Sequence, residues 1–242
     1  MVKTLHFPFD HLPPAFDRFQ ILHISDPHFS RDTPLSPRAQ ELIAAIEADI
    51  CVLTGDFLWG KTGPYDAVIE QTACLSKIVR ARDGIFAVLG NHDHSAFIEP
   101  FAGLGLRVLM NEHVSIARGT ERIWLAGVDD PSFFETGDPR LAVTGVPNDG
   151  FIILLAHSPE AAMPAAECGV RLYLCGHTHC GQIRFPFLGA LHLNSRAPRR
   201  YCCSVWRLGT MKGYTSAGLG TTELAVRFNC PPEIALIELR RG

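Results

Sequence analysis

The sequence predicts an α/β fold of four layers, αββα, in which two mixed β-sheets face each other and helices flank them. Three observations carry this. Five apolar runs have strand length and read as strands buried on both faces: Ile21-Leu22-His23-Ile24, Ile50-Cys51-Val52-Leu53, Ile85-Phe86-Ala87-Val88-Leu89, Phe151-Ile152-Ile153-Leu154-Leu155 and Leu172-Tyr173-Leu174-Cys175. Helical patterns separate the first three, giving β-α-β-α-β with right-handed crossovers and parallel strands. After residue 112 the pattern changes to hairpin, helix and loop, which suits a second sheet packed on the first.

Taken in order, residues 1–19 are rich in Pro and Phe and read as an extended lead-in to the first strand. Ser36-Pro37 supplies a helix cap and a first-turn proline, followed by an apolar face of Ala39, Leu42, Ile43 and Ile46. The stretch after Pro64, with Ala67, Val68, Cys74, Leu75, Ile78 and Val79, repeats the helical spacing. His113 to Ala117 and Arg122 to Val128 read as a hairpin around Arg118-Gly119-Thr120, and a helix is expected from Ser158-Pro159 to about Cys168. Strands are expected at Ala190–Leu193, Glu223–Phe228 and Glu233–Leu239, with a loop-rich stretch over 194–222.

The chain has 242 residues, of which 47% are hydrophobic, so residues 1–242 are expected to form a single domain. A net charge of −3 argues against wrapping of nucleic acid and against a nuclease, which would want a broad basic surface. The first ten residues lack an apolar signal core, and no run spans a bilayer. A cytoplasmic location is the expectation, with peripheral membrane attachment as the second. The eight cysteines include no Cys-x-x-Cys pair, and Cys51 and Cys175 fall inside strands, so buried free thiols are expected rather than disulfides or a zinc knuckle.

The strand ends carry the chemistry. Each of the five runs ends in a potential ligand: Asp26-Pro27-His28, Gly55-Asp56, Gly90-Asn91-His92-Asp93, Ala156-His157 and Gly176-His177-Thr178-His179. Open α/β sheets place ligands at the carboxyl ends of their strands. Asp26, His28, Asp56, Asn91, His157, His177 and His179 form a nitrogen and oxygen set without thiolate, suited to Mn, Fe or Zn more than to Ca or Mg. Seven side chains are too many for one ion and suit two divalent ions, Mn foremost, sharing a carboxylate. Paired ions serve phosphoryl chemistry by activating a bridging hydroxide and neutralising phosphate oxygens. His92, next to Asn91, is the candidate general acid, with Asp93 placed to orient its ring.

These blocks, in this order, resemble the motif series of the calcineurin-like metallophosphoesterase superfamily over most of the chain. Leu12-Pro13-Pro14-Ala15-Phe16, Gly127-Val128-Asp129-Asp130, Gly181-Gln182, Gly218-Leu219-Gly220 and Arg227-Phe228-x-x-Pro231-Pro232-Glu233 are similar to a branch of small bacterial phosphoesterases. That branch includes cell-envelope phosphodiesterases and UDP-diacylglucosamine pyrophosphatases. The resemblance implies one ion on Asp26, His28, Asp56 and His179 and a second on Asp56, Asn91, His157 and His177, with His92 as the acid. It implies hydrolysis of a phosphodiester or diphosphate in a small phosphorylated substrate, nucleotide-linked or lipid-linked. A UDP-diacylglucosamine pyrophosphatase-like enzyme is the alternative, and a non-catalytic scaffold on the same fold is the alternative of another class. Cys180 departs from the branch, where Gly is common, as does Phe57-Leu58-Trp59 after Asp56, where part of the superfamily has an acid.

Elsewhere the plainer readings hold. His23 lies inside a strand and reads as structural, Asp129-Asp130 as a turn, and His6, His11 and His113 as surface or turn residues. His94 and His192 are open between the site and the surface. Arg184, Arg199 and Arg200, with Arg196 and Arg207, are either a solvated face or a clamp for a substrate phosphate. Phe185, Phe187, Leu188 and Trp206 fit core packing ahead of an apolar substrate groove.

Overall fold

The computed structural model describes every residue except Pro64 and Glu223. Among the described residues, twelve strands exceed two residues: β1 (Val2–Phe9), β2 (Gln20–Ile24), β3 (Ile50–Thr54), β4 (Ile85–Val88), β5 (Leu106–Val108), β6 (Glu112–Arg118), β7 (Glu121–Gly127), β8 (Phe151–Leu155), β9 (Leu172–Cys175), β10 (Ser204–Leu208), β11 (Met211–Thr215) and β12 (Ile234–Arg241). The helices are α1 (Pro37–Ala44), α2 (Tyr65–Ile78), α3 (Ile98–Gly103), α4 (Pro139–Ala142) and α5 (Ala162–Glu167). Two six-stranded mixed sheets result, ordered β1-β12-β2-β3-β4-β5 and β10-β11-β9-β8-β7-β6. β2, β3, β4 and β5 are parallel neighbours, as are β7, β8, β9 and β11. Among the described residues, no helix is long and apolar enough to cross a membrane.

The apolar runs are continuous because each strand is covered on both faces. Ile21, Ile50, Val52 and Val88 point between the sheets and meet Ile123, Leu125, Ile153, Leu155, Leu172 and Leu174. The alternate residues of the first sheet, Leu22, Ile24, Cys51, Leu53 and Ala87, pack on Ala39, Ile43, Val68, Leu75 and Phe101 of α1–α3. Those of the second sheet, Ile152, Leu154, Tyr173 and Cys175, meet Ala142, Ala162 and Ala165 of the short helices α4 and α5. This period-2 division of one apolar run between two cores produces the four layers. α1 starts as its sequence demands: Ser36 accepts the Ala39 amide, and Pro37 takes the first helical position. α2 follows Pro64, which itself lies outside the described residues.

Several expectations are corrected. The lead-in contains β1, an edge strand paired in parallel with β12 over all eight of its residues. The stretch 194–222 contains β10 and β11, an antiparallel pair turned at Gly209, which takes a left-handed φ of 59°. The polar run Met211-Lys212-Gly213-Tyr214-Thr215 is a strand because tertiary context overrides propensity: Gly213 lies flat against the Trp206 indole, where a Cβ would clash. The strand expected at Ala190–Leu193 reduces to a two-residue ribbon, Gly189–Ala190 against Arg184–Phe185. That at 223–228 reduces to a single bridge between Phe228 and Ile183, with Glu223 outside the described residues.

Ile153 is fully buried between the sheets. Ile153→Ala is expected to cost about 2–5 kcal/mol, whereas Val205→Ala, at a half-exposed strand position, should stay within about 0.5 kcal/mol. Denaturant midpoints of the two variants check this pair.

Candidate metal centre

The two sheets present their carboxyl edges to one place. Asp26 follows β2, Asp56 follows β3, Asn91 follows β4, His157 follows β8, and His177 and His179 follow β9. Two clusters form there, Asp26 with His28 and His179, and Asp56 with His157 and His177, and within each the potential ligand atoms lie within 4.8 Å of one another. Asp56 also reaches the first cluster: its Oδ2 lies 3.3 Å from His157 Nε2 and 3.6 Å from His28 Nε2. Asn91 Oδ1 is 3.1 Å from His157 Nε2. All seven candidate ligands are therefore brought together.

The outer nitrogens of three rings fix which atoms point inward. A carbonyl can only accept, so His157 Nδ1–H donates to Thr54 O (2.8 Å), His28 Nδ1–H to Leu58 O (3.2 Å) and His177 Nε2–H to Asn194 O (2.9 Å). The inner nitrogens then face one another, His28 Nε2 to His179 Nε2 at 3.1 Å and His157 Nε2 to His177 Nδ1 at 3.0 Å. Lone pairs and carboxylate oxygens converging this closely call for a cation, and the carbonyl-anchored outer nitrogens are the arrangement metal-binding histidines adopt. The donor set fits divalent ions.

Backbone conformation delivers these side chains. Five of the seven residues have left-handed φ: Asp26 (50°), His28 (47°), Asp56 (55°), His177 (68°) and His179 (47°). Non-glycine residues held there cost energy and cluster at functional sites. Close approach requires glycine at Gly176, because a Cβ there would overlap Ser25 Oγ and Asp26 Oδ2. The Asp26 carboxylate accepts the His177 amide (3.0 Å to Oδ1) and the Ser25 hydroxyl (2.5 Å to Oδ2). Ser25 in turn accepts from Thr54 Oγ1 (2.7 Å), and Thr54 from His23 Nε2–H (2.8 Å). His23 is thus structural as expected, the buried head of a one-way hydrogen-bond chain ending on Asp26.

The charges are coupled. Burial works to raise the Asp56 carboxyl, yet His157, His28 and His92 hold it well below the usual range. Burial opposes protonation of His157, but Asp56 and Asp26 raise it to about 10. Burial pushes His28 down to about 4 and Asp26 up to about 7. Histidine binds a metal in its deprotonated form, so a divalent ion here would take the place of protons on this cluster.

Other candidates separate. The His92 amide donates to Asp56 Oδ1 (3.0 Å), its Nδ1–H donates to the Gly60 carbonyl, and its Nε2 faces Asp56 Oδ2 at 3.9 Å. Asp93 is not behind this ring: its Oδ1 accepts the Phe57 and Leu58 amides and its Oδ2 the Gly90 amide. It braces the Asp56 turn, because the Gly90-Asn91-His92-Asp93 turn folds its carboxylate back under those amides, and Gly60 takes the place expected for it. Cys180 is not a free thiol; it forms a disulfide with Cys203, and Cys230 Sγ donates to the His179 carbonyl (3.2 Å). Arg184 is tied to this bridge through Cys180 O (3.1 Å), Arg199 donates to Ala190 O, and Arg200 covers the Tyr201 ring. These partners lie outside the two clusters. His94 packs at a tilt against Tyr65 and meets Lys61 O, and His192 is exposed. Asp130 makes the expected turn by accepting the Ser132, Phe133 and Phe134 amides. Trp206 is core, whereas Phe185, Phe187 and Leu188 are exposed, contrary to the packing reading.

Sequence reasoning placed Arg227 in a family motif but gave it no role at the site, where its guanidinium meets His179 Nδ1 (3.1 Å) and the Gly218 and Gly220 carbonyls. It missed Ser25, Thr54 and Asn194; Ser25 and Thr54 are signalled only by their place at the ends of β2 and β3, and nothing local signals Asn194. Gly176→Ala is expected to lose most bound metal with the sheets retained, which metal analysis beside circular dichroism would check; full metal content would contradict the close approach.

The family model for calcineurin-like phosphoesterase matches residues 19–181. The chain is 31% identical to a metallophosphoesterase of Bacillus subtilis strain 168, YkuE, over 95% of this chain and 82% of the relative. It is 30% identical to the phosphodiesterase YaeI of Escherichia coli K12, over 91% and 82%. The 5′-nucleotidase precursor of Thermus thermophilus shares the fold at a TM-score of 0.50 and 14% identity, over 83% of this chain and 49% of that one. The chain belongs to the calcineurin-like phosphoesterase family and is a metal-dependent phosphoesterase.

Proposed function

We propose that residues 1–242 act as one catalytic domain that hydrolyses a phosphodiester or diphosphate bond at a dinuclear centre. The observation that carries this reading is the position of Asp56 Oδ2, within 3.6 Å of a histidine nitrogen from each cluster. Asp26, His28, Asp56 and His179 would hold one ion, and Asp56, Asn91, His157 and His177 the other. When bound, two divalent ions would polarise the phosphate and activate water between them. Manganese suits the mixed nitrogen and oxygen set, with iron or zinc as alternatives. The name of the YaeI relative, a phosphodiesterase, supports the diester reading.

His92 serves as the general acid. With Nδ1–H held by Gly60, a second proton carried on Nε2, at the rim of the Asp56 carboxylate, would pass to the leaving oxygen. The ring is partly exposed while the ligand rings are buried, so it can meet a substrate without leaving the protein. Asp93 acts as a positioning residue: it holds the Phe57, Leu58 and Gly90 amides and so the turn that aims Asp56.

One observation favours a lipid-precursor substrate as a second reading. An apolar cavity of about 330 Å³ borders His28, lined by Phe29, Leu35, Leu42, Leu219 and Ile234. It suits an acyl or other apolar group on the substrate, as in a UDP-diacylglucosamine-like diphosphate. The non-catalytic scaffold finds no such support, since the whole ligand set and His92 converge.

His92→Ala should lower turnover of a diester with a poor leaving group by about 10²–10⁴ while the metal content stays at the wild-type level. Full turnover in that variant would remove His92 from the acid role. Leu42→Trp, which fills the apolar cavity, should raise KM for UDP-diacylglucosamine and leave a bis-aryl phosphodiester unaffected. An unchanged KM for the acylated substrate would dismiss the lipid-precursor reading.

A further inference from the structure

Just beyond the His179 turn the chain holds large apolar side chains out to solvent. The ribbon of Arg184–Phe185 against Gly189–Ala190 closes over a tip where Phe187 is fully exposed with a left-handed φ of 66°. Leu188 and Leu191 are 73% and 67% exposed. Beside them Val226 and Phe228 are exposed on the returning segment. The two segments form one surface: the Arg184 amide donates to Phe228 O (2.9 Å), the Phe228 amide to Gln182 O (3.0 Å), and the Phe185 and Phe228 rings lie 6.1 Å apart. Contiguous exposed apolar surface of this kind marks an interaction site.

Charge identifies the occupant. Arg184, in the ribbon, and Arg199 and Arg200 make no ion pair with an acid among the described residues, whereas Arg196 is paired with Glu135 and Arg227 is held against His179. Arg199 reaches the base of the ribbon through the Ala190 carbonyl, and Arg200, also exposed, follows it. A protruding aromatic and aliphatic tip flanked by arginines is the pattern of insertion into an anionic lipid interface, where apolar groups enter the acyl boundary and cations meet the headgroups.

We propose that this face docks the enzyme on an anionic phospholipid bilayer, with Phe187 and Leu188 entering the acyl boundary and Arg199 and Arg200 meeting lipid phosphates. Docking there holds the His179 end of the metal centre toward the headgroup layer, because Cys180, Gln182 and Arg184 link the two directly. The inference goes beyond the proposed hydrolytic reading and is tested by binding rather than by turnover.

Co-sedimentation of the full chain with phosphatidylcholine vesicles, with and without phosphatidylglycerol, tests it at low and high salt. Binding is expected only with phosphatidylglycerol and should weaken with salt. Phe187→Ser combined with Leu188→Ser should weaken it by roughly tenfold or more, with hydrolysis of a soluble aryl diester unchanged. Wild-type protein that stays in the supernatant, or a double variant that binds as well as wild type, overturns the proposal. Dimerisation without vesicles that the same two changes abolish would also overturn it and assign the face to a second copy of the chain.

Discussion

One carboxylate organises this molecule. Asp56 Oδ2 lies between His28 and His157, and Asp56 Oδ1 accepts the His92 amide, so a single side chain relates both histidine clusters and the residue proposed as acid. The contacts run across the sheets: His157 and His177 come from the second sheet, and their partners Thr54 and Asp26 from the first. Asp56 and Asp26 favour a proton on His157. Exchanging that proton for a divalent charge keeps the balance while freeing lone pairs for coordination.

The geometry is costly and the fold offsets the cost. Left-handed backbone at five candidate ligand positions costs about 1–3 kcal/mol each where sterically disfavoured, though Asp and His tolerate it better than most residues. Three apolar cores, one between the sheets and one outside each, hold the strands whose ends must bend this way. Further bracing is local. Glu233 accepts the Tyr214 hydroxyl and the Ala217 amide, which fixes the loop behind Asp26, and the Cys180–Cys203 bridge fixes the turn after His179. A rigid frame with its strain at one edge is how a preorganised site is built.

The parts of this design legible in sequence are those written in local pattern. Apolar runs of strand length, each ending in Asp, Asn or His, announce both the buried strands and the candidate ligands, because one periodicity rule and one topological rule suffice. What escaped depends on contacts between distant residues. Met211–Thr215 is a strand only because Trp206 covers Gly213 and β9 offers a parallel edge. Asp93 adjoins His92 in sequence, yet the turn between them points their side chains to different partners, which adjacency alone does not reveal. Cys180 and Cys203 are 23 residues apart with no spacing motif, so their pairing is visible only in space. Arg227 reaches His179 from 48 residues away by the same logic.

The central claim is that two ions share Asp56. Electron paramagnetic resonance of chelator-stripped protein titrated with Mn²⁺ tests it directly, since only ions joined through a bridging ligand couple magnetically at such short range. The account predicts saturation at two ions per chain with the spectrum of an exchange-coupled pair, which Asp56→Ala abolishes. Saturation at one ion, or two ions with the spectrum of isolated Mn²⁺, would contradict it.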